Sequence, residues 1–161
     1  ATTISATGLI TPSQTAGIVG TTTNNNANAG SVGEYVTSSI AQASAVAAVN
    51  NTGVNITSIS LTAGDWDVGG IVYYLPDGST VYDLFLASVS TTSATHASRD
   101  TGGQGILKVA GGFGIGISSS LPAPEVRLSL ASTTTVYLVG TISFSAGAPK
   151  LYGTIRARRV R

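Results

Sequence analysis

Residues 64–76 read GDWDVGGIVYYLP and contain the only tryptophan of the chain. Apolar side chains fall on one face of this stretch, namely Trp66, Val68, Val72 and Tyr74. The opposite face carries Asp65, Asp67, Ile71 and Tyr73. This period of two predicts a β-strand whose first face forms the core. The Gly69-Gly70 pair in mid-strand predicts a bulge, a bend or the close approach of another backbone.

Most of the remaining chain also has the composition of strands, with hardly any helical period. Candidate strands are 34–40, 55–62, 81–90, 106–110, 113–118, 125–130, 135–145 and 151–160. The run 43–49 is ambiguous, although its short length and the turn signal after it favour a strand. Nine or ten short strands at this spacing predict an all-β protein, an antiparallel jelly-roll sandwich.

Two kinds of connection stand out between these strands. Pro76-Asp77-Gly78 predicts a hairpin turn, in which Gly78 supplies a positive φ, between the tryptophan strand and 81–90. The polar stretch 91–105 predicts an exposed loop of the length that often carries function. Residues 121–124, which contain two prolines, predict a connector.

Composition limits the classes of protein that the chain can represent. Its 161 residues fit one domain, and with 42% hydrophobic residues, 9% charged residues and a net charge of +1 it resembles neither a disordered chain nor a polyanion binder. Low charge favours a surface that is partly buried against copies of itself or a larger assembly. The absence of cysteine excludes disulfides and thiolate metal sites. We expect no membrane insertion and find no signal-peptide pattern.

The first thirty residues predict an extended N-terminal arm, followed by a β domain over 31–161. Residues 1–30 are too poor in apolar side chains to fold alone, so the arm is mobile or lies against a neighbour. Docking is favoured by five apolar residues, which we take as interface candidates: Ile4, Leu9, Ile10, Ile18 and Val19.

Several strands are apolar on both faces. Neighbouring apolar residues point to opposite faces in three places: Ile71 opposite Val72, Leu84 and Leu86 opposite Phe85, and Tyr137 and Val139 opposite Leu138. A single sandwich core uses only one face of each strand, so a symmetric homo-oligomer is the favoured partner for the second face. The alternative is a thicker single core beneath the arm and the long loop.

Half of the eight basic residues lie at the C-terminal strand, namely Arg156, Arg158, Arg159 and Arg161. Alternation places the first two on one face and the last two on the other. We favour salt bridges across a subunit or capsid interface with carboxylates such as Glu34, Asp65, Asp67 or Glu125. A solvated strand end and phosphate binding are the alternatives; without interleaved aromatic residues, we expect no nucleic acid partner.

Candidate catalytic and metal-binding residues are few. Asp65 and Asp67 share a strand face and could hold calcium or act as a glycosidase pair, but a solvated strand end is the preferred interpretation. The single histidine, His96, lies near Arg99 and Asp100 in a loop, where adjacency alone does not make a triad. The glycine runs 102–105 and 111–116 lack the lysine and the following helix of a phosphate loop. We expect no enzymatic activity, no cofactor and no metal.

Four blocks of the chain resemble a family of small bacteriophage virion proteins. They read TNNNANAGSVGEYV (23–36), NITSISLTAGDWDVGG (55–70), VRLSLASTTTVYLVGTISFS (126–145) and GTIRARRV (153–160). The resemblance covers 21–161, and its most specific part is Gly64-Asp65-Trp66-Asp67-Val68. In strand order the chain is also similar to the trimeric jelly rolls of the tumour necrosis factor and complement C1q type.

That resemblance implies a homotrimer located on a virus particle. Related modules include capsid decoration, or cement, proteins and tips of tail fibres. Because only an arm precedes the module, without a repetitive shaft, we expect a decoration protein that stabilises the head, with phage capsid or tail proteins as partners. The alternative is a tail-fibre tip that binds a host surface glycan or protein.

Overall fold

The computed structural model describes residues 7–8, 22–108, 112 and 116–161. Within these ranges it contains nine β-strands and one short 3-10 turn, Gln42–Ser44. The strands are β1 (Tyr35–Ile40), β2 (Val46–Ala47), β3 (Val54–Leu61), β4 (Gly64–Leu75), β5 (Val81–Ser90), β6 (Gln104–Lys108), β7 (Ser119–Leu130), β8 (Thr134–Ala146) and β9 (Lys150–Arg159). The predicted all-β class is confirmed. Over the same ranges, no helix has the length and apolarity needed to cross a membrane.

The strands form two antiparallel sheets. Sheet A has the order β1-β9-β4-β7, with β2 also paired to β9, and sheet B has the order β3-β8-β5-β6. From β2 onward the chain changes sheet at every connection except the one between β5 and β6. A five-stranded and a four-stranded sheet linked in this manner form a jelly roll, as the strand spacing predicts.

The predicted hairpin at Pro76-Asp77-Gly78 is wrong, because β4 belongs to sheet A and β5 to sheet B. The turn is a corner between the sheets, and Gly78 is not among the glycines with positive φ. The Asp77 carboxylate accepts hydrogen bonds from the Thr80 hydroxyl at 2.7 Å and the Ala148 amide at 2.6 Å. These donors, with Ser79, lower the pKa of Asp77 and tie this corner to the turn between β8 and β9.

The inward face of β4 supplies the centre of the core. Its predicted core residues are all buried: Trp66, Val68, Val72 and Tyr74. The polar atoms of the two large rings find partners, since the indole nitrogen of Trp66 donates to the Thr62 carbonyl at 2.9 Å and the Tyr74 hydroxyl donates to the Leu86 carbonyl at 2.6 Å. Burial of both rings therefore leaves neither polar group unsatisfied.

The glycine pair of β4 marks both a bulge and a close approach. The register with β7 shifts between Val68, which pairs with Val126, and Gly70, which pairs with Ala123. The extra residue therefore lies in β7. A Cβ atom on Gly70 would lie 2.7 Å from a backbone oxygen of β9, so this position has no room for a side chain.

Residues 121–124, predicted as a connector, instead lie inside β7. Proline is tolerated there because β7 is the edge strand of sheet A. The predicted strand over 43–49 is also mostly wrong, since only Val46–Ala47 forms a strand after the 3-10 turn. Of the run 113–118, residues 116–118 are not in a strand and the others lie outside the described residues.

Residues 22–34 pack against the first strand. The Asn26 side-chain amide donates to the Tyr35 carbonyl at 2.7 Å and accepts from the Tyr35 amide at 2.9 Å, so it extends the edge of β1 like an added peptide group. The Gly30 amide donates to the Glu34 carboxylate at 2.8 Å. The arm's interface candidates Ile4, Leu9, Ile10, Ile18 and Val19 lie outside the described residues.

Candidate interaction surface

The outer face of sheet A gathers most of the charge of the molecule. Backbone register places Arg158 between Tyr35 and Asp67, and Arg156 beside Gly69. Five of the eight basic residues of the chain and three of its seven acidic residues belong to this face. We call it the charged face, and it consists of Asp65, Asp67, Glu125, Arg127, Lys150, Arg156, Arg158 and Arg161.

Asp65 is the buried centre of the charged face. It is 3% exposed, and its Oδ2 atom lies 2.8 Å from Nη2 of Arg127 and 2.6 Å from Nη2 of Arg161. Hydrogen bonds from Ser129 and Arg127 lower the pKa of Asp65. The preferred expectation of a solvated strand end is therefore wrong for Asp65. Its carboxylate is already neutralised by two guanidinium groups, which disfavours calcium and a general acid here.

Arg159 lies on the inner side of β9, away from the charged face. It is 5% exposed, and its Nε donates to Glu34 at 2.9 Å. Its other nitrogens donate to the Ala63 carbonyl at 2.8 Å and to the Thr62 hydroxyl. Its guanidinium carbon lies 4.2 Å from the centre of the Trp66 ring. Arg159 is therefore satisfied within its own chain and is not presented to a partner, unlike exposed Arg156, Arg158 and Arg161.

A shallow depression of about 250 Å³ lies in the charged face, with Tyr35, Asp67, Glu125, Arg156 and Arg158 around it. Gly69 pairs with Arg156 and lies beside Glu125. Because Gly69 has no side chain, the surface of the sheet is lower at this point. Two arginines and two carboxylates line this depression. Such a lining suits a partner surface of mixed charge, because the guanidinium groups pair with carboxylates and the carboxylates pair with basic side chains.

Apolar side chains also reach the outer faces of both sheets. On sheet A, Tyr73 and Tyr152 stack with ring centres 4.9 Å apart, and Ile71 beside them is half-buried. On sheet B, Leu84 and Leu86 are half-buried. Ile106, which pairs with Leu86 across the ladder, is 45% exposed. We call Leu84, Leu86 and Ile106 the sheet B patch.

The third doubly apolar segment, Tyr137 to Val139, is covered by the chain itself. Val139 is fully buried although it lies on the outer side of sheet B. The loop 91–103 crosses this face, and the Asn55 side chain holds it by accepting from the Ala94 amide at 2.7 Å and donating to the Ser93 hydroxyl at 2.7 Å. At Val139, the structure has the thicker core beneath the long loop that was the alternative, whereas Tyr137 on the same face is only half-buried.

His96 fastens the same loop to sheet B. One ring nitrogen, Nδ1, lies 2.8 Å from the Ser88 hydroxyl, and the other, Nε2, lies 2.8 Å from the Thr141 hydroxyl. Burial lowers the pKa of His96 to about 4, with a smaller contribution from the charge of Arg99. The imidazole is therefore neutral at neutral pH, and it joins the loop to both β5 and β8.

Protonation of His96 should weaken the fold in mild acid. In the unfolded chain its pKa is near 6.5, so between about pH 6.5 and pH 4 the unfolded state binds more protons than the folded state. Stability should therefore fall as the pH is lowered through this window. We expect urea unfolding to show this loss between about pH 6.5 and pH 5, above the range in which most carboxylates titrate. A His96→Gln variant should lose the pH dependence, and an unchanged slope in that variant would contradict the assignment.

The hydroxyl next to His96 does not have the surroundings of a nucleophile. Ser88 is fully buried, and both nitrogens of the imidazole bond to hydroxyl groups rather than to a carboxylate. Across the part of the chain that the structure describes, no group of three histidine, cysteine or acidic residues could hold a metal ion. The arrangement provides a loop that is held by hydrogen bonds and, on the other sheet, a charged surface.

No family model matches the chain, and no curated protein matches it. The chain is similar to the solved structure of the VP2 subviral particle of infectious bursal disease virus, with a TM-score of 0.40 and 13% identity over 78% of this chain. A structure of the Gt strain of that virus matches with a TM-score of 0.35 and 14% identity over 76% of this chain. The chain spans 30% of the length of each of these proteins.

Proposed function

We propose that this protein is a structural component of a bacteriophage particle, a homotrimeric decoration protein that stabilises the head. The observation that carries the proposal is the presence of apolar side chains on the outer faces of both sheets, which a single sandwich core does not use. The sheet B patch provides a contact for copies of the chain, and the charged face provides paired charges for capsid subunits. The four sequence blocks that resemble phage virion proteins add to this support.

In this role the protein binds its partners and catalyses no reaction. Its partners are two further copies of itself and the capsid proteins, and its place is the assembled virion. Low charge outside the charged face agrees with a surface that is partly covered in the particle. No cofactor, nucleic acid or membrane is part of the proposed function.

A second candidate function is a tail-fibre tip that binds the host surface. The observation that favours it is the loop 91–103, which is held in place by His96 and Asn55 rather than left free. A binding loop with a fixed shape loses less conformational freedom when it contacts a receptor. Immunogold electron microscopy of the intact particle separates the two functions. Gold over the head supports decoration, gold at the tail end supports host binding, and the absence of gold on any particle overturns both.

Removal of residues 1–25 tests the arm. Asn26 stays in the truncated chain because it supports the edge of β1. We expect the truncated protein to remain a folded trimer by native mass spectrometry and to lose attachment to particles in a sedimentation assay, by tenfold or more in affinity. The full-length chain is the control. Full attachment without residues 1–25 would refute the expectation that the arm docks on a neighbouring protein.

A further inference from the structure

A larger cavity lies between the loop 91–103 and the edge strand β7. Its volume is about 520 Å³, within the range of small-molecule sites. One wall consists of four consecutive residues of β7, from Glu125 to Leu128. The opposite wall is the loop, and Val89 and Ser90 at the end of β5 also line the cavity. β6 begins only at Gln104, so it does not extend alongside residues 125–128 of β7. The loop, and not a strand, therefore lies beside this part of β7.

Hydroxyl groups dominate the polar lining. The Thr95 and Thr101 hydroxyls donate to backbone carbonyls at 3.1 and 3.0 Å, which leaves their oxygens able to accept. The Ser90 hydroxyl accepts from the Thr92 amide at 3.1 Å, so it can still donate. Thr91 also lines the cavity. These hydroxyl groups thus offer both donors and acceptors and carry no charge themselves.

Two charged groups stand at the β7 wall, and their charges nearly cancel. Glu125 is exposed, and Arg127 lies two residues along the strand with its Nη2 atom already on Asp65. His96, which also lines the cavity, is neutral at neutral pH because burial lowers its pKa to about 4. Half-buried Ala97, Val126 and Leu128 add an apolar surface. A ligand that carries a strong charge would find no excess of opposite charge here.

We propose that this cavity binds a neutral oligosaccharide. Sugars present closely spaced hydroxyl groups together with apolar C–H faces, and these match a lining of hydroxyls, one carboxylate, one guanidinium and three aliphatic side chains. The shape of the site is set in advance, because His96 and Asn55 fix the loop wall and the β4 ladder fixes β7. The proposal goes beyond the proposed function, since it holds for a head protein and for a tail protein alike.

The test begins with an array of neutral and acidic glycans probed with the full-length protein. A neutral glycan that binds is then titrated into the protein while amide chemical shifts are recorded. We expect the shift changes to concentrate on residues 89–103 and 125–128. Thr95→Val and Glu125→Gln should each weaken this binding tenfold or more. Thr135→Val, an exposed threonine on β8 outside the cavity, should leave the affinity unchanged.

Each other outcome overturns the proposal. These outcomes are an array without any bound neutral glycan, binding confined to acidic glycans, shift changes at another face, and equal affinity in all three variants. The amide spectra of the variants report directly whether each remains folded, so loss of binding through unfolding is recognised in the same experiment.

Discussion

Replacement of Arg159 by methionine should destabilise the protein by about 3 to 5 kcal/mol, the range measured when one member of a buried ion pair is removed. The change would leave the Glu34 carboxylate buried without its cation and would take donors from Ala63 and Thr62. It would also remove the cation that lies over Trp66. Urea unfolding followed by far-ultraviolet circular dichroism, at fixed protomer concentration, measures this effect.

The neighbouring arginine provides a matched control. Arg158 lies in the same strand one residue earlier and is exposed, so Arg158→Met should change the free energy of unfolding by no more than about 0.5 kcal/mol. A double variant, Arg159→Met with Glu34→Gln, should lose less than the sum of the two single changes, because the carboxylate then no longer needs a cation. Similar losses for Arg158 and Arg159 would show that the buried contacts contribute little.

Replacement of Gly153 by alanine should destabilise the protein by about 3 kcal/mol, at the upper end of the range for overpacked cores. A Cβ atom at this position of β9 would lie 2.2 Å from the backbone oxygen of Ile71 and 3.1 Å from Cδ2 of Leu138. Leu138 could change rotamer, but the Ile71 oxygen belongs to the β4 backbone and cannot rotate away. The two central strands of sheet A would have to separate locally.

A second glycine, Gly78, serves as the control for this substitution. A Cβ atom there would meet nothing within 4 Å, and its φ is not positive. Gly78→Ala should therefore be neutral or slightly stabilising through the unfolded chain, within about 0.5 kcal/mol. Thermal unfolding of both variants beside the parent protein gives the comparison. A Gly153→Ala protein that melts like Gly78→Ala would mean that β9 and β4 can move apart freely.

Alternation predicts which face of a strand is buried, but it does not predict which strand lies opposite. The pattern Trp66, Val68, Val72 and Tyr74 identifies the core face of β4 because each side chain obeys a local period. The turn at 76–78 shows that the chain reverses, yet its chemistry is the same for a hairpin and for a corner between sheets. Sheet membership depends on contacts with β8 and β9, which are distant in sequence.

The candidate site was also predicted only in part, because its contacts join residues that are distant in sequence. Alternation separates Arg159 from Arg156 and Arg158, as the structure has it, but it wrongly groups Arg161 with Arg159, because Arg161 lies beyond the end of β9 and pairs with Asp65. Alternation also cannot reveal that Thr62, Ala63 and Glu34 meet around Arg159. The pairing of Arg127 with Asp65 likewise follows from the β4–β7 register and has no local signal. Ser88 and Thr141 look like ordinary strand residues until His96 is placed between them.

The position of β9 has a consequence for how the protein is made. The last strand of the jelly roll lies in the interior of sheet A, between β1 and β4, and it carries Arg159 into the core. During synthesis, β1 and β4 therefore lack their shared neighbour until β9, which lies far along the chain from both, has been made. A chain cut short before β9 would keep two open edges and an uncovered tryptophan. Completion of sheet A therefore depends on β9, the strand that joins β1 to β4.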